Sequence, residues 1–219
     1  DDELGTMKIK MPYDVAKAII DDAHAKHLRA VAHIFYLADA QKLADMGIDG
    51  FMHSVRDKQI DQALIDSMKA HHTWQVAATL SREYSFAYSK LPFLNDPFFT
   101  RAVSPDVIKT LTDPARDKQL AMSPNFPIYK RSLANAEHNF AAEVKGGVMY
   151  GAGTDSGPPG RFAGYFLHLE LAEMVKAGLT PLQAITAATS HNATFLKAKD
   201  LGTLEASKQA DFVVLDANP

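Results

Sequence analysis

The chain has 219 residues, with 26 acidic and 23 basic side chains and a net charge of -3 when histidine is neutral. That length is enough to bury one sizeable core, and the near balance of charge excludes the basic stripe that a nucleic-acid surface needs. Cysteine is absent, which removes disulfides, thiolate metal sites and cysteine nucleophiles together, while nine histidines are present.

The first residues, Asp1-Asp2-Glu3, are the opposite of the basic start of a secretory signal. Pro12 and Asp14 precede Val15, Ala18, Ile19 and Ala23, a helical stripe. Ala30-Val31-Ala32-His33-Ile34-Phe35 is an apolar run of strand length without alternation, as in a parallel strand covered on both faces. A second helix spans 37–46 and stops at Gly47, and Gly50-Phe51-Met52-His53-Ser54 is a second short strand. Asp57 is positioned to cap a third helix whose apolar face is Ile60, Ala63, Leu64 and Met68, and residues 73–80 form a third strand. This alternation predicts an α/β protein with a parallel sheet.

The rhythm breaks at Ser81. Residues 81–130 are rich in aromatics and prolines, and so long a connection predicts a lid or binding loop. A helix is predicted over 127–145, stopped by Gly146-Gly147, and Val148-Met149-Tyr150-Gly151-Ala152-Gly153-Thr154 is a fourth strand leading into Asp155. Leu167, Leu171, Met174 and Val175 mark another helix ended by Gly178, and Thr180-Pro181-Leu182-Gln183 carries a capping-box spacing. The tail ends in Asp211-Phe212-Val213-Val214-Leu215, which predicts β structure in a small appended piece. No window holds about 18 consecutive apolar residues, so no membrane span is expected.

His33, His53 and Asp155 stand where apolar strands end, and in a parallel α/β sheet such positions converge on the ligand crevice. Imidazole and carboxylate together suit zinc or a similar divalent ion with positions left open for water. Such an ion brings the pKa of its water toward neutrality and generates hydroxide, with Asp155 able to accept the proton. Spacing alone leaves each histidine open to being an interior residue satisfied by hydrogen bonds. His168, opening a helix beyond Asp155, and Arg161, in the loop after it, are candidate substrate contacts, Arg161 for a carboxylate. His24, His27, His71, His72 and His138 read as surface residues, and His191 as structural or functional alike. The run 151–157 has a GxGxxxG pattern with an aspartate where a phosphate would approach, which argues against dinucleotide binding. Ser156 lacks the GxSxG setting of a serine nucleophile.

Several segments together resemble the metal-dependent amidohydrolase superfamily, in particular its imidazolonepropionase and Xaa-Pro dipeptidase-like branch. They are Val31-Ala32-His33, Gly47-Ile48-Asp49-Gly50-Phe51-Met52-His53-Ser54 and Gly151-Ala152-Gly153-Thr154-Asp155. Further matches are Ala177-Gly178-Leu179-Thr180-Pro181-Leu182-Gln183-Ala184-Ile185, Leu201-Gly202-Thr203-Leu204-Glu205 and Lys208-Gln209-Ala210-Asp211-Phe212-Val213-Val214-Leu215-Asp216. The resemblance implies a (β/α)8 barrel with a small β-sandwich built from both chain ends. His33 would then end strand five, His53 strand six and Asp155 strand eight. It further implies that the two histidines bind the second metal of a pair, while Asp155 binds the first and shuttles protons as hydroxide attacks an amide carbonyl.

The family's His-x-His on strand one and its metal-bridging lysine on strand four have no counterpart, since Lys8 and Lys10 lie in a charged stretch. A whole barrel takes roughly 250 residues. The expectation is therefore the C-terminal half of a TIM-like metallohydrolase barrel over 1–200, joined to part of a sandwich over 201–219, with the N-terminal half of the same enzyme as its partner. One or two divalent ions, zinc foremost, and a small amide, cyclic amide or Xaa-Pro dipeptide complete the expected set, with no nucleic-acid or membrane partner and self-association left open. The alternative is a half-barrel that binds or scaffolds without chemistry.

Overall fold

Parallel strands cannot be joined by a hairpin, so each needs a crossover, and this chain supplies a helix for every one. The computed structural model describes residues 4, 6, 9–157 and 160–219; Asp1-Asp2-Glu3 and Lys8 lie outside the described residues. Helix α1 (Tyr13–Ala25) leads to β1 (Val31–His33), α2 (Leu37–Asp45), β2 (Gly50–Met52), α3 (Gln62–Ala70) and β3 (Trp74–Ala77). The sheet runs β1-β2-β3, wholly parallel, with Val31 opposite Gly50, His33 opposite Met52 and Gly50 opposite Trp74. Phe51 on one sheet face, Ala40 and Ala44 on α2, and Leu64 and Met68 on α3 are buried together in the first core cluster.

The fourth strand expected over 148–154 contracts to a single parallel bridge between Tyr150 and Gln75. Gln75 N–H donates to Met149 O at 2.9 Å and Gly151 N–H donates to Gln75 O at 3.0 Å. Pairing stops there because the side-chain amide of Asn192 takes both backbone groups of Ala152, accepting from its N–H at 3.1 Å and donating to its carbonyl at 2.8 Å. Gly151 admits this approach, since a Cβ there would stand 2.3 Å from Asn192 Oδ1.

The segment 81–130 is helical rather than a loop. It holds α4 (Leu80–Ala87), a 3-10 turn (Pro92–Asn95), α5 (Pro97–Thr100), α6 (Pro105–Leu111) and α7 (Pro114–Ala121). Pro92, Pro97, Pro105 and Pro114 occupy first helical positions, where the missing N–H removes no bond. Asp96, Ser104 and Asp113 cap the turns that follow by accepting N–H groups of Phe98, Val107 and Ala115. Prolines that read as loop punctuation are helix starts. Phe93, Phe99, Leu133 and Phe166 close a separate core cluster beneath them.

The long helix α8 (Phe126–Gly146) ends at Gly147 with φ 81°, and α9 (Tyr165–Lys176) packs beside it. The capping box predicted at Thr180 and Gln183 is present at α10 (Pro181–Thr186), which continues through a π turn (Ala187–His191) into α11 (Asn192–Leu196). Asp57 does not cap the third helix. Asp61 accepts the Leu64 N–H there at 3.1 Å, while Asp57 accepts the Leu37 N–H at 2.9 Å and so serves α2. Residues 201–219 form no strand, and Phe212, Val213 and Val214 stay exposed, because among the described residues no edge pairs with them.

Buried carboxyl groups make this packing pH-sensitive, Glu143 foremost. Glu143 on α8 is 1 % exposed, and neither carboxyl oxygen has a hydrogen-bond partner among the described residues. Burial pushes its pKa from 4.5 up to about 8. Between those values the folded chain keeps a proton that the unfolded chain has released, so stability falls as pH rises through the window. The slope is about 1.4 kcal/mol per pH unit inside the window. Urea unfolding at about pH 5 and about pH 8 is expected to show this loss, and Glu143→Gln should reduce it, the remainder falling to Glu170, whose pKa burial raises to about 7. An equal loss in both proteins would assign the effect elsewhere.

Candidate metal centre

Two imidazoles meet at neighbouring strand ends. His33 is the last residue of β1, and its Nδ1 lies 2.8 Å from Nε2 of His53, just past β2. Regular alternation would send His53 to the Phe51 face, away from His33, whose partner in register is Met52. A left-handed backbone at His53, φ 66°, breaks that alternation. The turned residue stays pinned to the sheet, its N–H donating to Ala77 O at 2.8 Å. Its Nδ1 lies 2.7 Å from Thr79 Oγ1 just beyond β3.

Thr79 (φ 55°) and Asp155 (φ 49°) are left-handed as well. His27 and His72 have the same conformation directly after α1 and α3, where helix endings favour it. His53, Thr79 and Asp155 follow strands instead, at a cost of about 1–3 kcal/mol each for residues with a side chain. The strain is concentrated where β2, β3 and the Tyr150 bridge deliver their side chains.

His53 is 1 % exposed, and burial drives its pKa down to about 2, with the charges of Arg82, Arg56 and His33 adding to the effect. His33 is more exposed; partial burial lowers its pKa too, reinforced by Arg82 and Arg56 and opposed by Asp155. Both rings are therefore neutral at pH 7, the state in which imidazole binds a metal. An ion with bonds of about 2.0–2.1 Å in tetrahedral geometry sets two ligand nitrogens about 3.3 Å apart, so this pair fits after a small opening. The pair supplies two ligands. Among the described residues no three histidine, aspartate or glutamate side chains gather into a ligand set.

Asp155 is engaged with cations. Its Oδ2 lies 3.0 Å from Arg82 Nε as an ion pair, and Arg161 Nη1 donates to the same oxygen at 3.0 Å. Arg82 also donates through Nη1 to Glu83 Oε1 at 2.5 Å, and that oxygen accepts from Arg56 Nη1 as well. Arg56 Nη2 closes the chain by donating to Ile34 O, next to His33, at 2.9 Å. Thus Arg161 and Asp155 are brought together, as are His33 and His53, and Asp155 acts on His33 through its charge. His168 is exposed on α9 with its ring edge-on to Phe98, centroids 4.9 Å apart. His24 pairs with Asp49 on the surface, and His191 donates through Nδ1 to Tyr150 O at 2.9 Å.

Arg56, Thr79, Arg82 and Glu83 were not singled out from sequence. A signal for them lies in the sequence, since Thr79 and the Arg82-Glu83 pair follow a strand end as His53 does, but the proline-rich stretch beyond Leu80 has the composition of a loop.

The chain matches the model of the amidohydrolase family over residues 8–219. A Xaa-Pro dipeptidase with methionine bound in its active site superposes with TM-score 0.70 at 19% identity, over 99% of this chain and 46% of that one. A prolidase complexed with N-methylphosphonate-L-proline gives TM-score 0.65 at 21% identity, over 96% and 43%. Ochratoxinase from A. niger gives 0.65 at 20% identity, over 100% and 43%. At such identities the likeness is one of fold, and the chain spans less than half the length of these structures. No curated protein sequence matches it.

Removing the shared carboxylate of the buried ion chain should be costly, since it takes away a negative charge that both guanidiniums face. Glu83→Gln leaves the buried Arg56 guanidinium facing a neutral amide while Arg82 keeps Asp155, and is expected to lose about 3–5 kcal/mol in urea unfolding. A loss under about 1 kcal/mol would show that the guanidiniums are hydrated rather than paired.

Proposed function

The chain belongs to the amidohydrolase family, and from that premise we propose that it carries one half of the active site of a metal-dependent hydrolase of C–N bonds. The observation that supports this reading is the 2.8 Å approach of two neutral imidazole nitrogens at adjacent strand ends. His33 Nδ1 and His53 Nε2 would hold a divalent ion, zinc foremost, with a second ion sharing the complete site. Such an ion, when bound, polarises an amide carbonyl and acidifies water.

This chain's residues would do the rest. Asp155 would serve as ligand and accept the proton of the attacking water through Oδ1, while Arg82 and Arg161, both on Oδ2, would hold the carboxylate in place. Arg161 is also suited to a substrate carboxylate, which fits small amides, cyclic amides and Xaa-Pro dipeptides, with His168 as a further substrate contact. The remaining ligands would come from the N-terminal half of the same enzyme. Among the described residues β1 pairs with β2 alone, and a groove of about 380 Å³ lined by Ile19, Ile20, Val31, His33 and Ile34 runs beside it. An uncovered parallel edge of this kind favours a further strand. Residues 1–200 would then be four strands of the barrel, and 201–219 would complete a small sandwich with that other half.

The second reading, a half-barrel that binds without chemistry, is favoured by the engagement of Asp155 with two arginines in place of the histidines. Zinc titration separates the two. About one ion per chain is expected, with Tm raised by roughly 5–10 °C at a hundredfold excess over Kd, and His53→Ala should remove both effects. Absence of zinc binding together with absence of Xaa-Pro dipeptide hydrolysis by the whole protein would leave the scaffold reading.

A further inference from the structure

A histidine can offer a metal only the ring nitrogen that carries no proton, so the site requires one tautomer of His53. Resting on the ion site proposed above, we infer that Thr79 is a positioning residue that locks His53 as the Nδ1–H tautomer, and that Glu170 holds Thr79 in the conformation this needs.

The hydroxyl of Thr79 has one proton, and it is committed. Thr79 Oγ1 lies 2.7 Å from Ala78 O, a carbonyl that can only accept, so the hydroxyl donates there. Toward His53 Nδ1, 2.7 Å away, the same oxygen can then only accept. The imidazole proton therefore resides on Nδ1, and Nε2 presents its lone pair toward His33 Nδ1, which donates to it in the metal-free chain; to hold an ion, His33 would shift that proton to its own Nε2. Both oxygen and ring are buried, at 2 % and 1 % exposure, so water does not compete for the proton.

This use of Thr79 departs from what its place in the chain favours. It precedes α4 as N-cap, where a threonine hydroxyl ordinarily accepts an N–H of the first turn. Here it makes no such bond, and its backbone is left-handed. Glu170, wholly buried on α9, takes over the cap: Oε1 accepts the Leu80 N–H at 3.0 Å, and Oε2 accepts the Ser81 N–H at 2.7 Å and the Ser81 hydroxyl at 2.6 Å. A carboxylate from another helix releases the threonine to serve the imidazole.

The test uses the full chain, metal-free, with nitrogen-15 in the histidine rings. Thr79→Gly deletes the hydroxyl while relieving the left-handed backbone, so folding is preserved, and Thr79→Ser keeps the hydroxyl. Ring-nitrogen shifts are expected to show His53 protonated at Nδ1 in the parent chain and in Thr79→Ser, and mixed between tautomers in Thr79→Gly. Glu170→Gln, which turns an amide donor toward the Leu80 or Ser81 N–H, should move the ratio in the same direction. Zinc affinity should fall about 10–100-fold in Thr79→Gly and return in Thr79→Ser. An unchanged Nδ1–H tautomer with unchanged zinc affinity in Thr79→Gly overturns the assignment. A tautomer shift in Thr79→Gly with no zinc binding by any form upholds the lock and overturns the ion site instead.

Discussion

The contact on which the molecule's chemistry turns is the hydrogen bond between two uncharged imidazoles at the ends of β1 and β2. Two histidines so close could not both be charged, and the surroundings ensure that neither is. His53 is desolvated, and the guanidiniums of Arg56 and Arg82 repel a proton from both rings. Unpaired cations so close to the imidazoles would repel any further positive charge. Here each is bound to a carboxylate, Arg56 to Glu83 and Arg82 to Glu83 and Asp155, so they act on the rings without standing as uncompensated charge.

The same contact explains where the backbone is strained. Parallel strands stacked in register send successive side chains to opposite faces, and a rigid sheet alone would not bring His53 round to His33. The left-handed turn at His53 does so, and its cost is met by an N–H still bonded to β3 and by a ring sealed from water. Thr79 and Asp155 repeat the device at the next strand ends. Strain of this sort persists only where the surroundings over-determine it. The capping of α4 by Glu170 and the two guanidiniums on Asp155 are such surroundings.

The helices over 80–121 place the second layer of that arrangement. α4 starts directly after Thr79 and presents Arg82 and Glu83 from its first turn to Asp155 and Arg56. α9 and α8 pack against it, with Glu170 reaching across from α9. A segment with the composition of a surface loop thus carries Arg82, whose buried charge acts on both imidazoles.

Much of this was legible in the chain. Apolar runs without alternation mark parallel strands, and Thr180 and Gln183 mark a helix start, because each signal is local to a few residues. Four other features depended on partners distant in sequence. Asp57 caps α2, some twenty residues before it; Asn192 truncates the strand after Tyr150; Phe212 to Leu215 lack the neighbour a strand requires; and Thr79 serves His53 because Glu170 frees it. Spacing and composition report a residue's intrinsic preference, whereas a hydrogen bond or ion pair is decided by which groups the fold sets within about 3 Å. The sequence by itself determined the parallel α/β order and the residue types available at the strand ends. Only the tertiary structure decided that the two imidazoles meet each other while the carboxylate meets two arginines, since burial and charge, unlike periodicity, exist only once the chain has closed on itself.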